Sequence, residues 1–216
     1  MKNLACSFVL LPVAMLVGCS NPADNVPKAE VNSSTNSIST GTADPNASNA
    51  AARSYIFDAR HSSIEWVGSK VTGKHDGGFK KFEGEFHVVE GRLADSGNKV
   101  VIDTTSLWAD NDRLTGHLKS PDFFNVDQMP TATFQTTSVT SQGTNSTVTG
   151  NLTLHGVTKQ ISFPAVIQIS PDVVEVGAQF VLNRFDFDIK YPGKANDLIR
   201  KEVVLKLKLK AAPAKA

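Results

Sequence analysis

Period-two alternation of apolar and polar residues constrains the fold of this chain more than any other feature. Near the C-terminus Val203, Leu205, Leu207 and Leu209 share one face, and the lysines at 206, 208 and 210 share the other. The same period recurs over 82–89, 148–155 and 174–182. Strands with one apolar and one polar face are typical of antiparallel sheets, so the sequence predicts an all-β fold.

Eight such strands are predicted within a single domain over residues 55–211, followed by a short tail over 212–216. Breaks rich in glycine and asparagine separate them at hairpin intervals. Eight antiparallel strands with one apolar face form either a closed barrel or a sandwich, and closure removes exposed strand edges. The predicted strands, some of them bent, are 55–70, 79–90, 98–106, 131–140, 146–155, 157–169, 173–190 and 200–210.

One segment, about 111–120, departs from this alternation and is predicted to be a short helix. Asp110 or Asn111 can cap its start, Leu114 and Leu118 lie on one face, and Pro121 ends it. Phe123 and Phe124 follow at once. The segment forms either a lid over one barrel end or a plug inside it, and both arrangements bury Leu118 and Phe123.

The N-terminus has the pattern of a targeting segment. Lys2 precedes an apolar run from Leu4 to Val17, which is too short to cross a bilayer as a helix. Residues 16–19, Leu-Val-Gly-Cys, resemble a bacterial lipobox, so we predict a signal peptide over 1–18 and lipidation of Cys19. Ser20 resembles the pattern of lipoproteins sent to the outer membrane, where the protein would face the periplasm. The alternative is an ordinary secretory signal with an incidental cysteine.

Residues 19–54 are predicted to be a disordered tether from the lipidated cysteine. Asn, Ser, Thr, Ala and Pro dominate this segment, which carries too little apolar surface to offset the entropy of ordering. A flexible chain of this size spans roughly 30–35 Å, which would let the domain swing near the membrane. A tail with its own binding function is the alternative.

Charge and cysteine content narrow the range of partners. The chain has 22 basic and 21 acidic residues, a balance that gives no case for nucleic acid or for an anionic membrane as the main partner. Of the two cysteines, Cys6 lies in the predicted signal peptide and Cys19 is the lipidation site, so no internal disulfide is expected. The sequence leaves the oligomeric state open.

No catalytic or metal-binding motif stands out. The histidines at 61, 75, 87, 117 and 155 lack the spacing of metal ligands, and a GxSxG motif is absent. Asp58, His61 and Ser62 superficially resemble a triad, but neighbouring strand residues point to opposite faces. We therefore predict no metal, no cofactor and no enzymatic activity.

With no catalytic or metal-binding motif, the candidate functional site is the apolar interior of the predicted barrel. This interior is either a solid core or an elongated pocket. Alternation alone does not separate the two, because both bury the same face. Small residues within the apolar stripes (Gly84, Ala132, Gly150 and Ala178) favour open space. The predicted lining residues are Trp66, Phe82, Phe86, Leu114, Leu118, Phe123, Phe134, Phe163, Phe180, Phe185 and Phe187.

Several dispersed blocks carry a resemblance to a known family. GHLKSPDFFNVDQMPTATFQTTSVTSQGTNSTVTGNLTLHGVTKQISF at 116–163, with YIFDARHSSIEW at 55–66, resembles the YceI-like family. The likeness covers about residues 55–211. It implies a lipocalin-like barrel that holds a polyisoprenoid or isoprenoid-quinone-type lipid. Arg113, His117 and Arg184, with Lys119, are then candidates for polar groups near the lipid headgroup at the barrel mouth, or alternatively ordinary surface charges.

The sequence thus predicts an envelope-anchored lipid-binding protein that transports, stores or sequesters its ligand. Its partners would be a hydrophobic isoprenoid-type lipid and, through Cys19, a membrane. Two alternatives remain: an enzyme acting on a small hydrophobic substrate, and an envelope scaffold with a filled barrel and no ligand.

Overall fold

The computed structural model describes residues 21–33 and 52–215, which are mostly β-strand. The helical elements are α1 (Asp112–Lys119) and two 3₁₀-helices, Thr104–Ser106 and Arg184–Phe187. The strands are β1 (Glu30–Ser33), β2 (Arg53–Asp58), β3 (Ser63–Lys70), β4 (Gly73–Phe79), β5 (Phe82–Val89), β6 (Arg92–Leu93), β7 (Lys99–Asp103), β8 (Leu107–Ala109), β9 (Thr131–Gln142), β10 (Asn145–Leu154), β11 (Val157–Ile169), β12 (Val174–Asn183), β13 (Gly193–Lys194) and β14 (Asp197–Pro213).

These strands close into one antiparallel barrel. The pairing runs β2, β5, β7, β9, β10, β11, β12, β14 and back to β2. Three of these strands are bent: β2 continues into β3, β4 into β5 and β7 into β8. Of the parts nearer the mouth, β3 pairs with β14 and β4, and β4 pairs with β8. The predicted closed barrel of eight antiparallel strands is confirmed, and the sandwich alternative is wrong.

The two ends of the barrel differ. We call one end the mouth, where α1 and the β3–β4 and β13–β14 hairpins lie. The other, the closed end, carries the β9–β10 and β11–β12 turns. Near the closed end Tyr55 is 2% exposed, and its hydroxyl donates to the carbonyls of Ser170 and Pro171. Buried aromatic and aliphatic side chains pack behind it.

Helix α1 begins with a side-chain cap at Asn111, whose Oδ1 accepts a hydrogen bond from the Leu114 N–H at 3.0 Å. Asp110 does not cap the helix and instead accepts from the His75 ring and the Asp76 N–H. Burial works against ionisation of Asp110, but these hydrogen bonds hold the pKa of its carboxyl below the ordinary value. As predicted, Leu118 and Phe123 are buried.

Several predicted boundaries differ from the structure. The strand predicted over 173–190 ends at Asn183, because the Asn183 side chain accepts from the Phe185 N–H and starts a 3₁₀ turn. Strand β4 was not predicted. Strand β14 continues to Pro213, where Ala212 pairs with Ile56, so the start of the predicted tail belongs to the barrel.

A gap in the barrel wall lies between β11 and β12. These strands pair only from Val166–Gly177 to Ile169–Val174 and separate toward the mouth. Residues 21–33, here called the N-terminal strap, occupy the gap. On one side β1 pairs antiparallel with β11, and on the other Val181 donates to the Pro27 carbonyl and accepts from the Ala29 N–H. The strap thereby satisfies backbone groups that would otherwise form two open edges.

Prediction of a disordered tether is therefore wrong for the strap. Ala29 and Val31 pack against the barrel core, and Ala23, 4% exposed, covers Val67, Val181 and Val204 on the outer face. These contacts supply apolar burial that the composition of the whole segment does not predict. At the other end of the predicted tether, Arg53 and Ser54 belong to β2, so the prediction is wrong there as well. Residues 34–51 of the tether lie outside the described residues, as do Cys19, Ser20 and the predicted signal peptide.

Candidate functional site

A cavity of about 200 Å³ lies inside the barrel. Among the described residues that line it, Arg184 and Arg200 are the only two that are charged. The lining residues are Ile64, Trp66, Gly68, Phe79, Val100, Ile102, Leu118, Phe123, Phe124, Ala132, Phe134, Leu152, Leu154, Ile161, Phe163, Phe180, Leu182, Arg184, Ile189, Ile199, Arg200, Val203, Leu205, Leu207 and Leu209.

The cavity is elongated. Its lining follows β14 from Ile199 at the mouth to Leu209. Ten residue steps at about 3.3 Å each span roughly 33 Å along that strand. Space of this shape suits an extended apolar chain better than a compact molecule.

Stacked aromatic rings form one wall of the cavity. Phe163 on β11 stacks on Phe180 on β12, with ring centroids 4.2 Å apart, and Phe134 on β9 lies 5.6 Å from Phe163. The first pair crosses the gap between β11 and β12 on the inside, opposite the strap. The two rings therefore connect β11 and β12 in the stretch where these strands share no backbone hydrogen bonds.

The structure brings together about half of the predicted lining residues. Trp66, Leu118, Phe123, Phe134, Phe163 and Phe180 all line the cavity. They come from strands β3, β9, β11 and β12 and from the α1 region. Their contact with a ligand stays a prediction.

The other five predicted residues do not line the cavity. Phe82 and Phe86 are buried in the barrel core, where Phe86 stacks on Phe57. Leu114 is half-buried against the cluster around α1. Phe187 is fully buried, whereas Phe185 is 39% exposed, because the 3₁₀-helix breaks the alternation that would have turned both inward.

Two of the small residues thought to leave space do not. A Cβ at Gly84 would lie 2.1 Å from the Phe57 ring, and one at Gly150 would lie 2.5 Å from the Phe134 ring. Aromatic rings of neighbouring strands thus fill the space that a side chain at either glycine would occupy. Ala132 does line the cavity, whereas Ala178 packs in the surrounding core.

Trp66 lies at the mouth end of the cavity, and a glycine on the neighbouring strand fixes its position. Trp66 pairs with Gly77 on β4, and a Cβ at Gly77 would lie 2.1 Å from the indole Cζ2 atom. The ring therefore occupies the space where a side chain at position 77 would stand. The indole Nε1 is buried and has no hydrogen-bond partner within the described part of the chain.

Arg200 on β14 supplies a second buried donor of this kind. Its Nε is also buried without a partner among the described residues. Burying an unpaired N–H costs about 1–3 kcal/mol, so native proteins rarely leave one without a role. Both donors belong to residues that line the same cavity.

Arg184 is also buried, but its guanidinium already has hydrogen-bond partners within the protein. Its guanidinium donates to the carbonyls of Arg200, Ile189, Tyr191 and Ile199 at 2.6–3.2 Å. Burial lowers the pKa of Arg184, although an arginine stays protonated in proteins. Arg184 therefore pins the segment leading into β14 and places a positive charge at the mouth.

The remaining predicted mouth residues lie outside the cavity. His117 packs edge-on against Phe123 and Tyr191, and its Nε2 lies 2.9 Å from Asp122 Oδ2. Arg113 is exposed on α1. His117 thus stabilises the covering of the mouth, while Arg113 faces solvent.

Sequence reasoning missed Arg200 and the aliphatic lining residues. Arg200 is the first residue of the last predicted strand, 200–210, and alternation does not define the direction of a side chain at a strand end. The aliphatic positions Leu205, Leu207 and Leu209 were recognised as one face but not named as lining residues. In the part of the chain that the structure describes, no group of three or more His, Cys, Asp or Glu side chains could hold a metal ion, and no helix could span a bilayer.

Comparisons with known proteins agree with this architecture. The YceI-like domain model matches residues 55–211. A UPF0312 protein of Pseudomonas putida is 33% identical over 172 residues, which cover 75% of this chain and 90% of the relative. A UPF0312 protein of Vibrio parahaemolyticus is 39% identical over 120 residues, covering 54% of this chain and 64% of the relative.

Solved structures show the same fold at low sequence identity. BcnA of Burkholderia cenocepacia matches with a TM-score of 0.66 at 22% identity, over 72% of this chain and 99% of that one. A domain from Saccharophagus degradans, described as a polyisoprenoid binding domain implicated in plant cell wall breakdown, matches with a TM-score of 0.60 at 18% identity, over 76% of this chain and all of that one.

Proposed function

The chain belongs to the YceI-like family, and from that premise we propose that its barrel holds a hydrophobic lipid of the polyisoprenoid or isoprenoid-quinone type for transport, storage or sequestration. The elongated apolar cavity is the observation that carries this proposal. The related fold of the Saccharophagus degradans domain, described as polyisoprenoid binding, supports it.

Hydrophobic burial supplies the affinity. A prenyl chain that buries about 400–600 Å² of apolar surface gains roughly 10–15 kcal/mol before the entropy of association is subtracted. An association cost of about 4–5 kcal/mol, the low end of the usual range, leaves roughly 5–11 kcal/mol, and the upper part of that range corresponds to micromolar or tighter binding. The apolar lining accounts for such binding without an ion pair.

The polar end of the ligand lies at the mouth and carries an oxygen acceptor. Trp66 Nε1 and Arg200 Nε are the two buried donors that lack partners in the described chain, and the Arg184 side chain also lines the cavity. A quinone carbonyl oxygen and a phosphate oxygen can each accept a hydrogen bond from these N–H donors. This assigns headgroup recognition to Arg200 and Trp66.

A binding role is favoured over an enzymatic one. General acid–base or nucleophilic catalysis needs a side chain that can give or take a proton or attack a substrate. Of the described side chains that line the cavity, the two ionisable ones are arginines, which stay protonated.

Attachment to the outer membrane through lipidated Cys19, facing the periplasm, completes the proposal. Support comes from residues 16–19, Leu-Val-Gly-Cys, after an apolar run. Mass spectrometry of the protein from its native membrane fraction tests it: diacyl modification of Cys19 is expected, and C19S releases the protein. An unmodified N-terminus beyond Cys19 contradicts it.

Lipid extraction from the purified mature chain tests the cavity. Organic extracts analysed by mass spectrometry are expected to contain an isoprenoid lipid. L207W fills the cavity from β14 and abolishes its recovery, whereas V166W, at a position 45% exposed on β11, leaves it unchanged. Extracts without lipid, or equal recovery from both variants, refute the proposal.

Headgroup recognition has its own test. W66F and R200M each remove one unpaired donor, and each is expected to weaken binding of an oxygen-bearing isoprenoid about tenfold. The hydrocarbon analogue without oxygen should bind both variants as tightly as it binds the wild type. A uniform loss for both ligands would show that these residues only shape the cavity.

A further inference from the structure

The strap brings the predicted lipid attachment site close to the barrel mouth. Asn21 begins the described strap, and its Oδ1 accepts a hydrogen bond from Ser69 Oγ at 3.4 Å. Ser69 lies near the end of β3 that reaches the mouth. Only Ser20 separates Asn21 from Cys19, and two residues extend at most about 7 Å. A flexible span of 30–35 Å is therefore not available between the membrane and the barrel.

Two exposed apolar side chains lie at the same end. Val71 is 56% exposed in the β3–β4 turn, and Leu198 is 50% exposed at the start of β14. The Val71 N–H donates to the Leu198 carbonyl at 3.2 Å, so the two residues are neighbours. We call Val71 and Leu198 the apolar rim.

Hydrogen bonds hold this rim in a fixed shape. Asp197 accepts from Lys70 Nζ at 2.5 Å and from the Thr72 hydroxyl at 2.9 Å, which ties the two hairpins together. Single exposed apolar residues are ordinary on protein surfaces. Two on adjoining, cross-linked turns, beside the entry of the strap, form a surface suited to insertion into a membrane interface.

Charge on the rim fits an anionic bilayer. Lys74 and Lys194 are exposed on the two hairpins that carry Val71 and Leu198. The nearby Asp197 is paired with Lys70, so its charge is compensated. Basic side chains next to an inserted apolar pair favour anionic headgroups.

We infer that the apolar rim rests on the lipid bilayer and holds the barrel with its mouth toward the membrane. The proposed orientation of the barrel rests on the proposed acylation of Cys19. The affinity of the apolar rim for lipid does not depend on that acylation. With this orientation the mouth end of the cavity, covered by α1, faces the phase in which a hydrophobic ligand dissolves. The ligand would then enter or leave the barrel with a short passage through water.

Site-specific labels on the acylated protein test the orientation. The predicted mature chain has no cysteine other than Cys19, so A195C places a fluorophore at the β13–β14 turn and D172C places one at the closed end. In vesicles of phosphatidylethanolamine and phosphatidylglycerol, brominated lipids are expected to quench the label at 195 at least several-fold more than the label at 172. Equal quenching overturns the inference.

Partitioning of the non-acylated C19S chain tests the rim itself. V71S/L198S is expected to lower binding to the same vesicles on the order of tenfold. I56S/V166S removes two apolar side chains of similar exposure, 53% and 45%, outside the rim and should leave binding unchanged.

The outcomes separate this inference from the proposed function. Acylated protein with equal quenching of both labels refutes the orientation and leaves the anchor standing. If mass spectrometry finds no acylation, the C19S comparison decides, and equal partitioning of the two double variants overturns the rim. Lipid recovered from the cavity of V71S/L198S should match the wild type, because neither residue lines it.

Discussion

Replacing Arg184 with methionine is expected to loosen the mouth of the barrel without unfolding its closed end. The guanidinium joins four carbonyls, those of Ile189, Tyr191, Ile199 and Arg200, through three nitrogen atoms. Methionine keeps much of the apolar stem but donates no hydrogen bond. The segment from Ile189 to Arg200 then loses its attachment to the end of β12.

The magnitude follows from these four bonds. Each contributes about 1 kcal/mol net, and a buried carbonyl left without a donor costs somewhat more. Relief of the cost of burying the cation offsets part of the loss. The free energy of unfolding should therefore fall by roughly 3–5 kcal/mol, which corresponds to about 8–15 °C in Tm for a domain of this size.

Thermal unfolding followed by circular dichroism measures this change, and amide hydrogen exchange locates it. Protection should fall first over residues 189–201, while amides near Tyr55 stay protected. R113M is the matched control, because Arg113 is exposed on α1, and its effect should stay within about 0.5 kcal/mol. A Tm for R184M within about 2 °C of the wild type would refute the assigned role of Arg184.

Three further predictions concern the glycine beneath Trp66, the cap of α1 and the acid sensitivity of the hairpin link. G77A forces the indole from its place against β4 and should cost about 1–3 kcal/mol in urea unfolding, whereas G73A, with open space around its Cβ position, should cost much less. N111A removes the cap of α1 and should cost about 1 kcal/mol, and N111D should restore most of it. The hydrogen bond from Lys70 lowers the pKa of Asp197, so its link to Thr72 is complete above the ordinary carboxyl pKa of about 4 and is lost as pH falls through the lowered value. The Thr72 N–H also donates to Asp197 Oδ1, at 3.2 Å. Exchange protection of this amide should show the loss, and D197N should remove the acid dependence.

Alternation predicted the barrel because each strand needs one face for the core and one for solvent. The run from Val203 to Lys210 sets β14 and the long wall of the cavity without any tertiary information. Asn111 and Pro121 likewise bracket the helix through local capping and steric rules.

Failures arose where distant contacts override the local pattern. Phe185 and Phe187 alternate with aspartates as a strand would, but the Asn183 side chain and the buried Arg184 turn the chain into a 3₁₀-helix. The donors on Trp66 and Arg200 could not be assigned to one site from the sequence, because the two residues lie on different strands, β3 and β14, and only the folded barrel places both along one cavity.

Whether the barrel is hollow depends on how rings pack against backbone. Gly84 and Gly150 suggested free volume, but rings from neighbouring strands fill it. The free volume lies instead among aliphatic side chains such as Leu205 and Leu207. The sequence gives the volume of each side chain, but it does not show which ring of a neighbouring strand fills the space beside a glycine.

The way the strap completes the barrel wall has a consequence for oligomerisation. A fragment that starts near Arg53 would leave two edges without partners: the side of β11 that faces β1 at residues 159–162, and the amide and carbonyl of Val181. Such edges accept any strand of suitable pattern, including the strap of a second molecule, through donor-strand exchange. Truncated protein should therefore tend to self-associate, and a synthetic peptide of residues 21–33 should return it to the monomer.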